Sequence, residues 1–339
     1  MFMRDKGYDF IRFAAMMMII IHHFVTTIEG RGLPELIVRV TYQAMLGGGG
    51  VALFFILSGA VLYRNYCNRL TNKSELVEFY KKRFLRIEIP HIAAFVVCVS
   101  LVYAQSYQVW IDDKIGFLIS MVGLNYCNLP WTWFDINCPW IVGEWFTAVI
   151  VLLYILFPLL KLLFQNHFYI SSVFVLCIFV LNLKYQILTG GEGWFSITNG
   201  IALFWVGMIY EKFKIGFDRW NAIIFPLSIV FIIIAQFYTL FSDWMWYLNV
   251  VAYSFSLFCL LHRIKYSSFV TKIVCKYNFE LYLLHHRVFL VLLPIITFYS
   301  GSYLQTISIF ALMMALTFSL AVFVKNISDH VVDWCIKKT

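Results

Sequence analysis

Apolar runs of about twenty residues recur along the whole chain, with short polar segments between them. A helix of that length matches the hydrocarbon core of a bilayer. The composition agrees: 62% of residues are apolar and 13% charged, with a mean hydropathy of +0.80, whereas a soluble domain is about a quarter charged. The chain is therefore predicted to be all-α, a polytopic transmembrane helical bundle forming a single integral-membrane domain over 1–339 without a fused soluble domain. Spans are predicted at about 8–28, 45–63, 87–106, 140–161, 168–187, 196–211, 220–240, 245–263, 277–298 and 303–324. The segment 115–126 is apolar but short, and reads as a re-entrant or interfacial helix.

Charge sets the expected orientation. The net charge of +8 might suggest nucleic acid in a soluble protein, but here the cations gather at span ends. Arg64, Arg69, Lys73, Lys81, Lys82, Arg83 and Arg86 follow the second span and should face the cytoplasm, as should Arg4 and Lys6. Ten spans with both termini cytoplasmic fit the later loops as well. A span at 115–126 would invert all of those loops. The first run does not read as a cleaved signal peptide, since Arg12 lies within it, no small-residue cleavage site follows, and more spans come after it. The eight cysteines show no zinc-ligand spacing. Cys127 and Cys138 flank one polar loop; they are expected as free thiols, with a disulfide as the alternative if that loop is extracytoplasmic. Trp131, Trp133 and Phe134 suit interfacial anchoring, with sugar stacking as the functional option.

Ionisable groups within the spans point to chemistry, because a membrane helix normally excludes them. The first run carries Arg12, His22 and His23. Arg12 and His23 are eleven residues apart, so they share a helix face about 16 Å apart along the axis. An imidazole suits general-base work on a hydroxyl; the structural alternative is a snorkelling Arg12 and a hydrogen-bonded interior His23. His22 points about 100° away and reads as structural. Glu144 could orient His23, or form a packing ion pair with another span. Arg83 and Arg86 share a face and form a fork suited to phosphate, or belong to the positive girdle. The stretch GGGGVALFFILSGAVL at 47–62 allows close helix contact. Glu280 and His285 are five apart, about 140° around the helix, so their direct pairing is not assured. His286 and Arg287 either line the same cavity or pair with each other.

In order along the chain, these pieces resemble the integral-membrane acyltransferase family 3. The matching elements are Arg12 and His23; Phe54-Phe55-Ile56-Leu57-Ser58-Gly59; Arg83 and Arg86 before Pro90; Trp140 and Glu144 before Pro158; and Tyr282, Leu283 and His285. The chain departs from the pattern at Val142-Gly143-Glu144 and at Arg287. The resemblance implies a bacterial inner-membrane, multi-pass O-acyltransferase. It would take an acyl group, usually acetyl, from cytoplasmic acyl-CoA and pass it to a hydroxyl of a cell-surface glycan or a lipid-linked glycan precursor. It further implies His23 as general base supported by Glu144, Arg12 at the donor end, Arg83 and Arg86 on the coenzyme A phosphates, and Ser58 in the pocket. His22, Glu280 and His285 stand as secondary candidates. The implied partners are acetyl-CoA as donor substrate, the glycan and the lipid bilayer, with no metal and no nucleic acid; a homo-oligomer is left open. The rival class is a proton-coupled transporter using the same buried Arg, His and Glu side chains. A third option is a sensor or scaffold derived from the family.

Overall fold

The computed structural model describes residues 5–29, 42–106, 113–124, 138, 141–142, 144–185, 196–216, 218–237, 243–296 and 302–337. Among them the chain is helical, with no strand. The elements are α1 (Lys6–Ile28), a π-helical segment (Tyr42–Gly48), α2 (Gly49–Tyr66), α3 (Lys73–Ser106), α4 (Lys114–Met121), α5 (Glu144–Asn166), α6 (Phe168–Tyr185), α7 (Ile197–Phe213), α8 (Arg219–Phe237), α9 (Asp243–His262), α10 (Phe269–Lys276), α11 (Asn278–Leu292), a 3₁₀ turn (Leu293–Ile295) and α12 (Tyr303–Lys337).

Among the described residues, six helical stretches are long and apolar enough to cross a membrane: Lys6–Ile28, Met45–Tyr66, Lys73–Gln105, Trp145–Asn166, Phe168–Tyr185 and Tyr303–Cys335. Two shorter apolar stretches, Arg219–Phe231 and Tyr247–His262, lie among the rest. The six are fewer than the ten spans expected, and the described part of several other helices is shorter. α7 has 17 residues and α11 has 15. Large apolar side chains stay on the outside, with Tyr169 82% and Leu304 73% exposed. Such faces suit lipid rather than water. The helix α4 has 8 residues and is about 12 Å long, too short to span. Asp113 caps it by accepting from the Ile115 and Gly116 N–H groups at 2.8 and 3.1 Å.

The chain divides into two compact units. The first holds residues 1–19, 39–80 and 149–275. Its centre is α2, which is buried along most of its length and packs on α7 and α9. The contact with α7 is a reciprocal glycine crossing. A Cβ at Gly59 would collide with the backbone carbonyl of Phe204, and one at Gly207 with the carbonyl of Ile56. The Gly59 of the FF-x-LSG block is thus a packing residue. On α6, the Ser172 Oγ accepts from Trp205 Nε1 at 3.0 Å; on α8, the Ser228 carbonyl accepts from Asn249 Nδ2 at 2.9 Å.

A polar network ties the start of α1 to this unit. Asp5 receives Arg64 at 2.9 Å, Lys265 at 3.2 Å and His262 at 3.3 Å, and the Gly7 N–H at 2.9 Å. Tyr8 donates to Glu211, which also pairs with Lys214. Burial pushes the Asp5 carboxyl up, but the Arg64 bond, the Gly7 N–H and the nearby His262 and Lys265 outweigh it. They hold it well below the usual carboxylate range. Folding therefore favours the ionised form above the unfolded pKa of about 4, and that contribution is lost as pH falls below it. Asp5→Asn should lower the melting temperature at pH 7, by the equivalent of about 1 kcal/mol because the site is partly solvated. In thermal unfolding scans its gap to the parent protein should close toward pH 3. A gap that stays constant across that range would remove the carboxylate from the account.

The second unit holds residues 20–38, 81–148 and 276–339. Here α11 packs along α12, and the later half of α1 enters through Phe24, whose ring meets Phe289 at 5.9 Å and Phe310 at 4.9 Å. Phe95 of α3 meets Phe117 of α4 at 5.1 Å.

Candidate active site

The last turns of α1 carry His22 and His23 into a group of imidazoles in the second unit. The His23 ring stacks on His286 at 4.3 Å and 29°, lies 5.1 Å from His285 and 4.9 Å from His22. Its backbone carbonyl accepts from Thr26 Oγ1 at 3.0 Å and Thr27 Oγ1 at 2.6 Å, while its ring nitrogens make no hydrogen bond among the described residues. The side chain of His285 is 1% exposed. Its Nδ1 lies 3.1 Å from the Leu281 carbonyl and 2.8 Å from the Tyr282 carbonyl. Carbonyls only accept, so Nδ1 carries the proton and Nε2 presents a lone pair. That Nε2 is buried and has no hydrogen-bond partner among the described residues.

The other expected site residues fall as follows. Arg12 is held by Asp9 at 2.8 Å, a pair three residues apart on α1. This partner was legible in the Asp-x-x-Arg spacing, although the sequence reading did not use it. Glu144 opens α5; its side chain, with Gly143, Trp140, Trp131, Trp133, Phe134 and Cys127, lies outside the described residues. The chain just before it is anchored, since Arg287 Nε donates to the Ile141 carbonyl at 2.9 Å. Arg287 thus reaches the backbone that leads into α5. Glu280 pairs with Lys325 of α12 at 3.4 Å, which makes it part of the α11–α12 contact. Arg83 is half-buried and Arg86 exposed on α3. Ser58 is half-buried on α2 in the first unit. Cys138 is a free thiol.

Two buried side chains on α3 escaped the sequence reading as site candidates. Glu88 and His91 are three apart and share a face. His91, 0% exposed, donates from Nε2 to the Ser120 carbonyl at 3.1 Å. Its Nδ1 and the Glu88 Oε2 have no hydrogen-bond partner among the described residues. Gly123, at φ +67°, leaves room for the His91 ring and Thr147, which a Cβ would meet at 3.2 Å. From the other side of that first turn of α5, Phe146 meets Tyr282 at 5.0 Å, and Tyr282 lies 5.9 Å from His285. The turn that begins at Glu144 therefore packs near Gly123 through Thr147 and against Tyr282, a partner of His285, through Phe146. Among the described residues no three His, Cys, Asp or Glu side chains are placed to hold a metal ion.

An imidazole on an apolar helix, with ring nitrogens that make no hydrogen bond among the described residues, is equipped for proton transfer. The family model described as an acyltransferase domain, that of acyltransferase family 3, matches residues 5–325. The chain belongs to this family, and is an acyltransferase with several membrane-crossing helices. No curated protein and no solved structure matches it.

Proposed function

We propose that the protein transfers an acyl group, most simply acetyl, from cytoplasmic acyl-CoA to a hydroxyl of a cell-surface glycan or its lipid-linked precursor. In this reading it crosses the bacterial inner membrane ten times with both termini inside. His23 removes the proton of the acceptor hydroxyl, the oxygen attacks the thioester carbonyl, and coenzyme A leaves as the thiolate and takes up the proton. Glu144 supports His23. Arg12, about 16 Å further along α1 and already paired with Asp9, meets the donor end. Arg83 and Arg86 grip the coenzyme A phosphates, with Ser58 in the donor pocket. The observation that carries the proposal is the His23 ring: it lies against His285 and His286, and its nitrogens are not consumed by the protein among the described residues.

Binding of coenzyme A to the detergent-solubilised protein tests the donor half. Losing a charge-assisted contact costs about 1.5–3 kcal/mol, so Arg83→Ala and Arg86→Ala should each raise the Kd about tenfold or more in calorimetry. Unchanged affinity would take the arginines out of the donor site, and no binding at all would favour a proton-coupled carrier. The acceptor half is tested by mass spectrometry of surface polysaccharides and lipid-linked glycans from cells with and without the gene. Identical acylation in both would end the proposal.

A further inference from the structure

We propose that His285 is a positioning residue for His23: its Nε2 accepts the N–H of His23, which leaves the other His23 nitrogen unprotonated toward the acceptor hydroxyl. This inference rests on the general-base reading above and adds the group that sets the base's tautomer. A neutral imidazole acts as a base through one nitrogen only, so which nitrogen holds the proton decides whether it works. Catalytic histidines have this chosen for them by an acceptor on the far nitrogen.

Three observations single out His285. Its own tautomer is fixed, because Nδ1 is committed to the Leu281 and Tyr282 carbonyls. Its Nε2 is a buried acceptor without a partner among the described residues, a state that costs free energy unless something donates to it. The ring centroids of His23 and His285 are 5.1 Å apart. An N–H···N bond of about 3 Å plus about 1 Å from each nitrogen to its ring centre gives about 5 Å, so a turn of the His23 ring completes the bond without movement of either helix. The neighbouring rings do not offer the same acceptor. His286 presents its face, stacked at 29°. His22, with its ring 4.9 Å from that of His23, is half-buried rather than buried like His285. Phe289, 6.0 Å from His285, and Tyr282 close the other sides with rings and hold the imidazole in place.

The test compares His285→Leu, which removes the acceptor, with His285→Gln, whose amide oxygen can occupy the Nε2 position. Transfer of radiolabelled acetyl from varied acetyl-CoA to the cell's own membrane glycan fraction gives kcat and KM in proteoliposomes. His285→Leu should lower kcat about a hundredfold with KM for acetyl-CoA within about twofold, and His285→Gln should stay within about tenfold of the parent in kcat. In ¹⁵N-histidine NMR, His23 should show one tautomer in the parent protein and a mixture in His285→Leu. Parental kcat in His285→Leu overturns the proposal and leaves the orienting role to another group such as Glu144. So does a His285→Gln protein as impaired as the leucine variant while His23 keeps its single tautomer. If His285→Leu does not fold, His285→Gln kinetics and the parent spectrum decide. The general-base reading fails separately, by full activity of His23→Ala.

Discussion

His23→Ala should lower acyl transfer by at least about a hundredfold, the lower end of what a positioned general base contributes, while leaving coenzyme A binding and protein yield unchanged. The physical reason is local. His23 is half-buried with its ring against three other imidazoles, so truncation would remove the proposed proton transfer and some ring packing but no side-chain hydrogen bond among the described residues. Stability should fall much less than activity. The fitting control is His22→Ala, on a different side of the same turn, which should retain more transfer than His23→Ala. Initial rates from acetyl-CoA, normalised to folded protein by size-exclusion chromatography, separate the two. Equal losses for the two variants would mean that the whole imidazole cluster, rather than one base, carries the chemistry. Undiminished transfer in His23→Ala would mean that the base lies elsewhere, and the buried His91, whose Nδ1 has no hydrogen-bond partner among the described residues, would then be the first side chain to examine.

How much of this was legible without coordinates depends on the range of the contact. Helix positions were, because apolar runs report on a local period: the run at 8–28 lies within Lys6–Ile28, and 168–187 coincides closely with Phe168–Tyr185. The short piece at 115–126 gave itself away by length, and it folds as the 8-residue α4. Local polar pairs were also in reach, as Asp9 and Arg12 show. Distant pairs were not. Nothing in the sequence links Glu280 to Lys325, or His91 to the Ser120 carbonyl, because side chains of those types have many potential partners along the chain. The histidine cluster was half legible. The two His-His pairs stood out, at 22–23 and 285–286, but only the packing of α1 and α11 within one unit brings His23 against both members of the second pair. For the same reason Gly207 passed unnoticed among small residues, while Gly59 was marked by the block around it.

Those two glycines carry the largest expected effect on the fold. Gly59→Val and Gly207→Val should each abolish recovery of monodisperse protein, and Gly59→Ala should already unfold well below the parent in a thermal scan. Overpacking a core commonly costs about 1–3 kcal/mol when side chains can give way. Here they cannot, because the atom met is a backbone carbonyl on the facing helix, Phe204 in one direction and Ile56 in the other. Relief would require α2 and α7 to separate along a contact in which Leu53, Phe55, Ile56, Leu203 and Phe204 are all buried. The neighbouring Gly200 differs in kind: a Cβ there meets side-chain carbons of Val149 and Leu153, so Gly200→Ala should be milder than Gly59→Ala. Gly216, with nothing within 4 Å of a Cβ, is the neutral reference, and Gly216→Ala should behave as the parent. Detergent thermal-stability scans of the three alanine variants give the ranking. If Gly59→Ala is as stable as Gly216→Ala, the close crossing of α2 and α7 does not exist in the membrane, and the FF-x-LSG block must owe its glycine to something other than packing.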